Sequence, residues 1–275
     1  LENNLYGLDI DDRASQLAYF SVMMKARQYD PRFFTRTIQP HIYAIQESND
    51  LDPNMIQYFV GKDQKLKEVT DYIINTMHDA KEYGSILKIR PIDFSLLKNR
   101  FEELRSNDSL FSMPVYSELL PLVQVVKVLS QNYNVVCTNP PYMGSSGMGT
   151  KLSDYVKKNY PDSKSDLFAV FMERCGQLTQ RDYYQAMITQ HAWMFLSSYE
   201  DLRHKLLQED TVNMAHLGAR AFDEIGGEVV QTTSFVLRKN HIKGYKGVYA
   251  RLIEPNTEKG KEEMFLSGEN RYESN

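Results

Sequence analysis

The sequence predicts an α/β domain on a mixed sheet, mainly parallel with one antiparallel strand, that carries a helical insertion. Three observations predict it. Short apolar or β-branched runs alternate with stretches of helical periodicity at both ends of the chain. Residues 50–130 change texture to long amphipathic stretches rich in Lys, Glu and Leu. Two late strands are joined by a link too short for a crossover, which makes the second of them antiparallel.

Leu5 to Ile10 reads as a short apolar strand ending in acids. Asp12 to Tyr29 follows with Ala14, Leu17, Ala18, Val22 and Met23 at helical spacing, and Asp11 or Asp12 can cap it. The helix stops before Asp30 and Pro31, because a proline disfavours helical geometry in the residue before it. His41 to Ile45 is the second strand. In the insertion, Val69, Tyr72, Ile73 and Met77 keep helical spacing, while Ser85 to Ile89 fits a short strand or an extended connector equally well. Tyr133 to Thr138 is a β-branched strand that halts at Asn139-Pro140-Pro141-Tyr142, since neither proline donates a backbone N–H. Asp166 to Leu178 reads as a helix, Tyr184 to Thr189 as a strand and Ser197 to Gln208 as a helix. Thr211 to Leu217 and Val229 to Arg238 are the two late strands. The expected division is therefore a core of residues 1–49 and 131–250, an insertion of residues 50–130, and a polar stretch of residues 251–275 that leaves the domain or opens a linker.

The bulk numbers narrow the function classes. With 275 residues, 42% hydrophobic and 25% charged, the chain suits a globular protein with a sizeable core. A formal net charge of -4 argues against coating nucleic acid by bulk electrostatics and leaves room for a local basic face. Cys137 and Cys175 lie far apart in apolar stretches, so buried reduced thiols and a cytoplasmic location are expected. No apolar run approaches the roughly 18 to 20 residues of a membrane span, and no membrane partner is expected. His41, His78, His191, His204, His216 and His241 are scattered without ligand spacing, so no metal is expected either.

Chemistry concentrates at Asn139-Pro140-Pro141-Tyr142. Taken alone, the tetrapeptide also fits a proline-rich β-turn with Asn in first place. Its position argues for more: it leaves a buried strand, and ligands bind at the carboxyl ends of strands in α/β sheets. The following loop, Gly144 to Lys151, departs from the phosphate-binding pattern G-x-x-x-x-G-K-S/T because Lys151 follows Thr150 instead of preceding a hydroxyl residue. A flexible loop is the preferred reading. Lys151, Lys157, Lys158 and Lys164 would meet phosphates there, or form an ordinary solvated basic surface.

The tetrapeptide resembles the D/N-P-P-Y/F motif of amino-group DNA methyltransferases, in the NPPY form of the adenine-N6 enzymes. The resemblance covers roughly Leu5 to Asn49 and Asn132 to Asn240, and is closest to the large adenine methylases of BREX-type phage exclusion and combined restriction-modification systems. It implies a Rossmann-like methyltransferase sheet, S-adenosylmethionine as cofactor, and double-stranded DNA with a flipped adenine as substrate, alongside other subunits of a defence system. Asn139, Pro140, Pro141 and Tyr142 would be catalytic. Asp9, Ile10, Asn139 and Asp166 would bind cofactor, with Asp9 on the ribose hydroxyls. Tyr142, Gly144, Lys151 and Phe222 would meet the base or the DNA.

Asp9 read alone is as well suited to capping the next helix, and Tyr142 to packing in a core. The departure lies at the start. The family's glycine-rich loop precedes the acid-ended strand, whereas this sequence opens after that point, so a fragment with weak cofactor binding and poor methylation is expected. The competing reading is a catalytically inactive scaffold or interaction fragment that uses residues 50–130 to meet a partner.

Overall fold

The computed structural model describes residues 1–106, 112–222 and 230–274, and the chain forms two compact units, Leu1–Gln131 and Asn132–Asn275. The first unit opens as a strand-helix-strand crossover. Strands β1 (Tyr6–Asp9) and β2 (His41–Ala44) pair in parallel from Tyr6 opposite His41 to Asp9 opposite Ala44, joined through helix α1 (Asp12–Tyr29). The Asp11 carboxylate caps α1 by accepting from the N–H groups of Arg13 (2.7 Å) and Ala14 (2.9 Å). The inner face of α1 differs from the expected one: Ser15 is buried, Tyr19, Val22, Met23 and Ala26 are half-buried, and Leu17 stands 66% exposed. Val22 and Met23 fit both stripes, and periodicity alone did not fix the rotation of the helix by the remaining positions.

Residues 50–130 are mainly helical. Helix α2 (Pro53–Val60) starts with Pro53 behind an Asp52 cap. Helix α3 (Gln64–Met77) is capped by Asp63 and buries Leu66, Thr70, Ile73 and Met77, a stripe of helical spacing. After the short α4 (Ala80–Tyr83), Gly84–Ile86 makes a single 3-10 turn, and residues 87–93 run on as a connector, not a paired strand. Helix α5 (Phe94–Ser106) supplies Arg100, whose guanidinium donates to the Phe59 and Tyr58 carbonyls at 2.7 and 3.0 Å, satisfying the open C-terminal end of α2. The short α6 (Ser112–Pro114) runs through a π turn into α7 (Leu120–Ser130). Helix α7 buries Leu122, Val123, Val125, Val126, Val128 and Leu129, the pattern of a helix packed nearly all round.

The second unit holds a six-stranded sheet. Its elements are β3 (Tyr133–Thr138), α8 (Thr150–Asn159), α9 (Leu167–Leu178), β4 (Thr179–Gln190), α10 (Glu200–Leu206), β5 (Asp210–Gly218), β6 (Thr232–Arg238), β7 (Gly247–Arg251), α11 (Glu258–Ser267) and β8 (Arg271–Ser274). Strand order is β3-β4-β6-β5-β7-β8. Strands β3, β4, β5 and β7 run one way, whereas β6 and β8 run the other.

The sheet is thus mixed, and the expectation of one antiparallel strand needs correcting to two, because β6 slots between β4 and β5 and α11 returns the chain antiparallel to β7. The polar stretch from residue 251 folds here as α11 and β8. Val229, expected to open β6, lies outside the described residues. Phe168, Met172, Met187, Trp193, Phe235 and Leu237 form the core of this unit. Gly247 is required at its place: a Cβ there would collide with the Thr211 carbonyl oxygen on β5.

Cys175 is buried on α9, but Cys137 is exposed, contrary to expectation. Among the described residues β3 pairs with β4 alone, which leaves one edge of an apolar strand open, and neighbouring Val135 is 59% exposed. No helix among the described residues is long and apolar enough to cross a membrane.

Candidate active site

Parallel pairing of β3 with β4, ending at Thr138 opposite Met187, delivers the chain to the carboxyl end of the sheet. There Asn139 is exposed, Pro140 buried, Pro141 exposed and Tyr142 half-buried. A buried proline with φ locked fixes the direction of the backbone beside it. Among the described residues nothing bonds to the Asn139 side chain, and no N–H is donated to the Pro140 carbonyl. Two strong acceptors, adjacent in sequence, therefore lie at a strand exit without a hydrogen-bond donor among the described residues.

Tyr142 packs edge-on against Phe168, with centroids 6.0 Å apart at 83°, and Phe168 in turn meets Tyr199 at 5.7 Å. Burial raises the Tyr142 hydroxyl above its ordinary pKa, keeping the ring neutral. The loop after Tyr142 is zipped to the segment before α9. Met143 N–H donates to Asp166 Oδ1 (3.0 Å), Leu167 N–H to the Met143 carbonyl (2.9 Å) and Ser145 N–H to the Ser165 carbonyl (3.0 Å), around a Gly144–Asp166 bridge. Asp166 is only 9% exposed and also caps α9 through Phe168 N–H at 3.2 Å. Burial raises its carboxyl, against the opposing pull of the Phe168, Met143 and Leu167 N–H groups.

Lys151 lies exposed in the first turn of α8, and Lys157 and Lys158 in its last. Phe222 is half-buried, directly before residues 223–229, which lie outside the described set. In the first unit, Asp9 ends β1 half-buried. Its Oδ1 accepts from Asp11 N–H at 2.9 Å, while Asp11 takes the cap of α1, so Asp9 is not the helix cap. Ile10 beside it is 48% exposed. The chemistry of Asp9 suits a sugar diol: one carboxylate oxygen is anchored to backbone, and no bond is made to the other among the described residues.

Sequence reasoning missed a histidine pair. His191, just past β4, and His216 on β5 meet at 2.9 Å between Nδ1 and Nε2, with Phe195 edge-on to His191 and tilted against His216. Burial lowers the pKa of both, and His216 is lowered further by His191 and the nearby Arg251 and Lys261. The two strands flank β6 and are not neighbours, so only their shared carboxyl-end position would have signalled the contact. Among the described residues no group of three or more His, Cys, Asp or Glu is placed to hold a metal.

Residues 3–221 match the family described as Eco57I restriction-modification methylase. The chain is 41% identical over 273 residues to the adenine-specific methyltransferase PglX of Lacticaseibacillus casei (strain Zhang), covering 97% of this chain and 23% of that protein. It is 39% identical over 290 residues to the adenine-specific methyltransferase BrxX of Escherichia coli O9:H4 (strain HS), covering 96% of this chain and 24% of that one. It thus spans about a quarter of the length of these curated relatives. Among solved structures, the ATP-dependent Type ISP restriction-modification enzyme LlaBIII bound to DNA aligns with 98% of the chain and 19% of its own, at a TM-score of 0.47 and 14% identity. With most of its length inside the family match and two relatives near 40% identity, the chain belongs to the Eco57I restriction-modification methylase family.

Proposed function

We propose that the chain carries the catalytic motif of a DNA adenine-N6 methyltransferase that uses S-adenosylmethionine. The observation that carries this reading is a pair of acceptors at the end of β3, the Asn139 side chain and the Pro140 carbonyl, that take no hydrogen bond among the described residues. The exocyclic amine of adenine is a poor nucleophile because its lone pair is delocalised into the ring. Each of its two N–H groups needs an acceptor if the nitrogen is to become tetrahedral, and Asn139 Oδ1 with the Pro140 carbonyl supplies two. Bound S-adenosylmethionine supplies an electrophilic methyl group. The residues of this chain hold the amine and orient it, and the buried Pro140 keeps the carbonyl direction fixed while they do so.

The target atom is inaccessible inside a stacked duplex, so the base has to be extruded. The half-buried Tyr142 ring, braced by Phe168, offers the stacking surface, worth about 1–3 kcal/mol per base. Asp9 is proposed for the ribose hydroxyls and Ile10 for an apolar contact to the cofactor. Gly144, Lys151 and Phe222 are proposed for the base or the DNA backbone. The match to relatives named adenine-specific methyltransferases supports the reaction class.

The test is transfer of labelled methyl from S-adenosylmethionine to duplex DNA by the natural polypeptide that carries this chain, with the product base identified by digestion. Asn139→Ala is expected to lose transfer by at least about a hundredfold in single-turnover reactions at saturating cofactor. Unchanged transfer in that variant would remove the catalytic assignment, and label on a base other than adenine would overturn the substrate.

A further inference from the structure

We propose that Asp166 is the positioning residue of the Asn139–Tyr142 turn, a single carboxylate oxygen holding the loop after Tyr142 and the helix behind it in one fixed relation. The proposal rests on the catalytic reading of that turn. Asp166 Oδ1 accepts from Met143 N–H at 3.0 Å and from Phe168 N–H at 3.2 Å. Met143 is the residue directly after Tyr142, and Phe168 carries the ring against which Tyr142 stands edge-on. One atom therefore ties both sides of the Tyr142–Phe168 contact.

The Met143 and Ser145 backbone bonds to Leu167 and Ser165 close the same zipper, so the exit of the turn is pinned on a segment that is itself the start of a buried helix. No hydrogen bond among the described residues is made to the exposed Asn139 side chain or donated to the Pro140 carbonyl. The turn is thus held by the buried Pro140 ring and the end of β3 on one side, and by Asp166 with the Met143–Leu167 and Ser145–Ser165 bonds on the other. A misplacement of about 1 Å in a reacting group costs roughly a hundredfold in rate, so a slack exit from the turn would appear in turnover before it appeared in binding.

Two rival roles for Asp166 make different demands on its atoms. A helix cap needs only a short acceptor for Phe168 N–H, and serine serves as well as aspartate there. Serine Oγ is one bond nearer the backbone than Asp Oδ1 and does not span to Met143 on the neighbouring segment. A direct cofactor ligand needs the negative charge. The positioning role needs the oxygen at its present reach but not the charge, and asparagine keeps that oxygen.

The experiment compares Asp166→Ser, Asp166→Asn and Asn139→Ala in the natural polypeptide that carries this chain. It measures single-turnover methyl transfer, S-adenosylmethionine affinity by calorimetry, melting temperature, and hydrogen exchange at the Met143 and Phe168 amides. Asp166→Asn is expected to keep turnover within about twofold and cofactor affinity unchanged. Asp166→Ser is expected to melt like wild type and keep Phe168 protected, to exchange Met143 faster, and to lose turnover by at least about tenfold with cofactor affinity intact.

Wild-type turnover or an undiminished Met143 protection in Asp166→Ser overturns the proposal. So does a loss of cofactor affinity in Asp166→Asn, which would make Asp166 a cofactor ligand. Full transfer by Asn139→Ala would reject the catalytic reading itself, and the exchange at Met143 would still decide whether Asp166 holds the loop.

Discussion

Removing the carboxylate of Asp210 tests how the larger sheet is held at the end opposite the Asn139–Tyr142 turn. Asp210 opens β5 with a side chain only 3% exposed, paired to Arg238 at 18%. Its Oδ2 accepts from Arg238 Nε (3.1 Å) and Nη2 (2.6 Å), and its Oδ1 from Ile242 N–H (3.0 Å), so one group joins β5, the end of β6 and the turn beyond. Deleting one partner of a buried ion pair costs about 3–5 kcal/mol. Arg238 keeps some solvent and lies over the Tyr245 ring at 4.6 Å, which places Asp210→Ala at the lower end, about 3 kcal/mol.

For a chain of this size, that lowers the melting temperature by roughly 6–12 °C. Asp210→Asn keeps the shape and one acceptor and is expected to lose about 1–2 kcal/mol. The pH dependence separates charge from shape. Burial alone would raise the Asp210 carboxyl, but the Ile242 N–H, the Arg238 bonds and the charge of Arg238 more than offset it and leave it below the ordinary carboxylate range. The stabilisation is therefore complete above the ordinary value near 4 and is lost as pH falls through the lower folded value. Urea titrations from pH 7 to pH 3 should show wild type and Asp210→Asn converging at the acid end. A constant gap across that range, or no gap at pH 7, would refute the argument.

Three further outcomes follow from the geometry. The histidine pair of His191 and His216 is held neutral by burial, so stability should fall as pH drops below about 6.5, the ordinary histidine value, and His191→Asn with His216→Asn should flatten that limb in thermal melts. Lys261 donates to the Leu217 and Leu252 carbonyls at 2.6 and 2.7 Å from a buried position, and Lys261→Met, which leaves both unsatisfied, should cost about 2 kcal/mol in urea unfolding. Tyr142→Phe should bind a duplex carrying 2-aminopurine at the target as wild type does, since no bond to the Tyr142 hydroxyl is present among the described residues. Tyr142→Ala should weaken that binding by about 1–3 kcal/mol, read from 2-aminopurine fluorescence.

What the sequence made legible was local. The end of β3 could be read from Pro140 and Pro141, which cannot continue a ladder, and α9 from the helical pattern that starts at Asp166. The proline after Asp30 and the Asp11 cap bounded α1 in the same way. What stayed hidden depended on partners distant in sequence. The stripe of α1 that faces inward is set by where β1 and β2 lie, and Leu17 looked as suitable as Val22 until that was known. The order β6-β5-β7 needs pairings that no periodicity encodes, and the His191–His216 contact follows from that order. Asp166 was legible as the start of a helix and as a family landmark, and its role as the cap came from the structure. Its second bond, to Met143, became visible only when two loops were seen side by side.

The contrast between the two thiols has a practical use. Cys137 stands at the bare rim of β3, two positions ahead of Asn139, whereas Cys175 is enclosed and burial pushes its thiol up to about 12. A maleimide dye at neutral pH should therefore label this polypeptide at one place without any engineered cysteine, because the thiolate is the reacting form and access governs the rest. A fluorophore anchored there would report on arrivals at the motif from beside it, leaving Asn139 to Tyr142 themselves untouched.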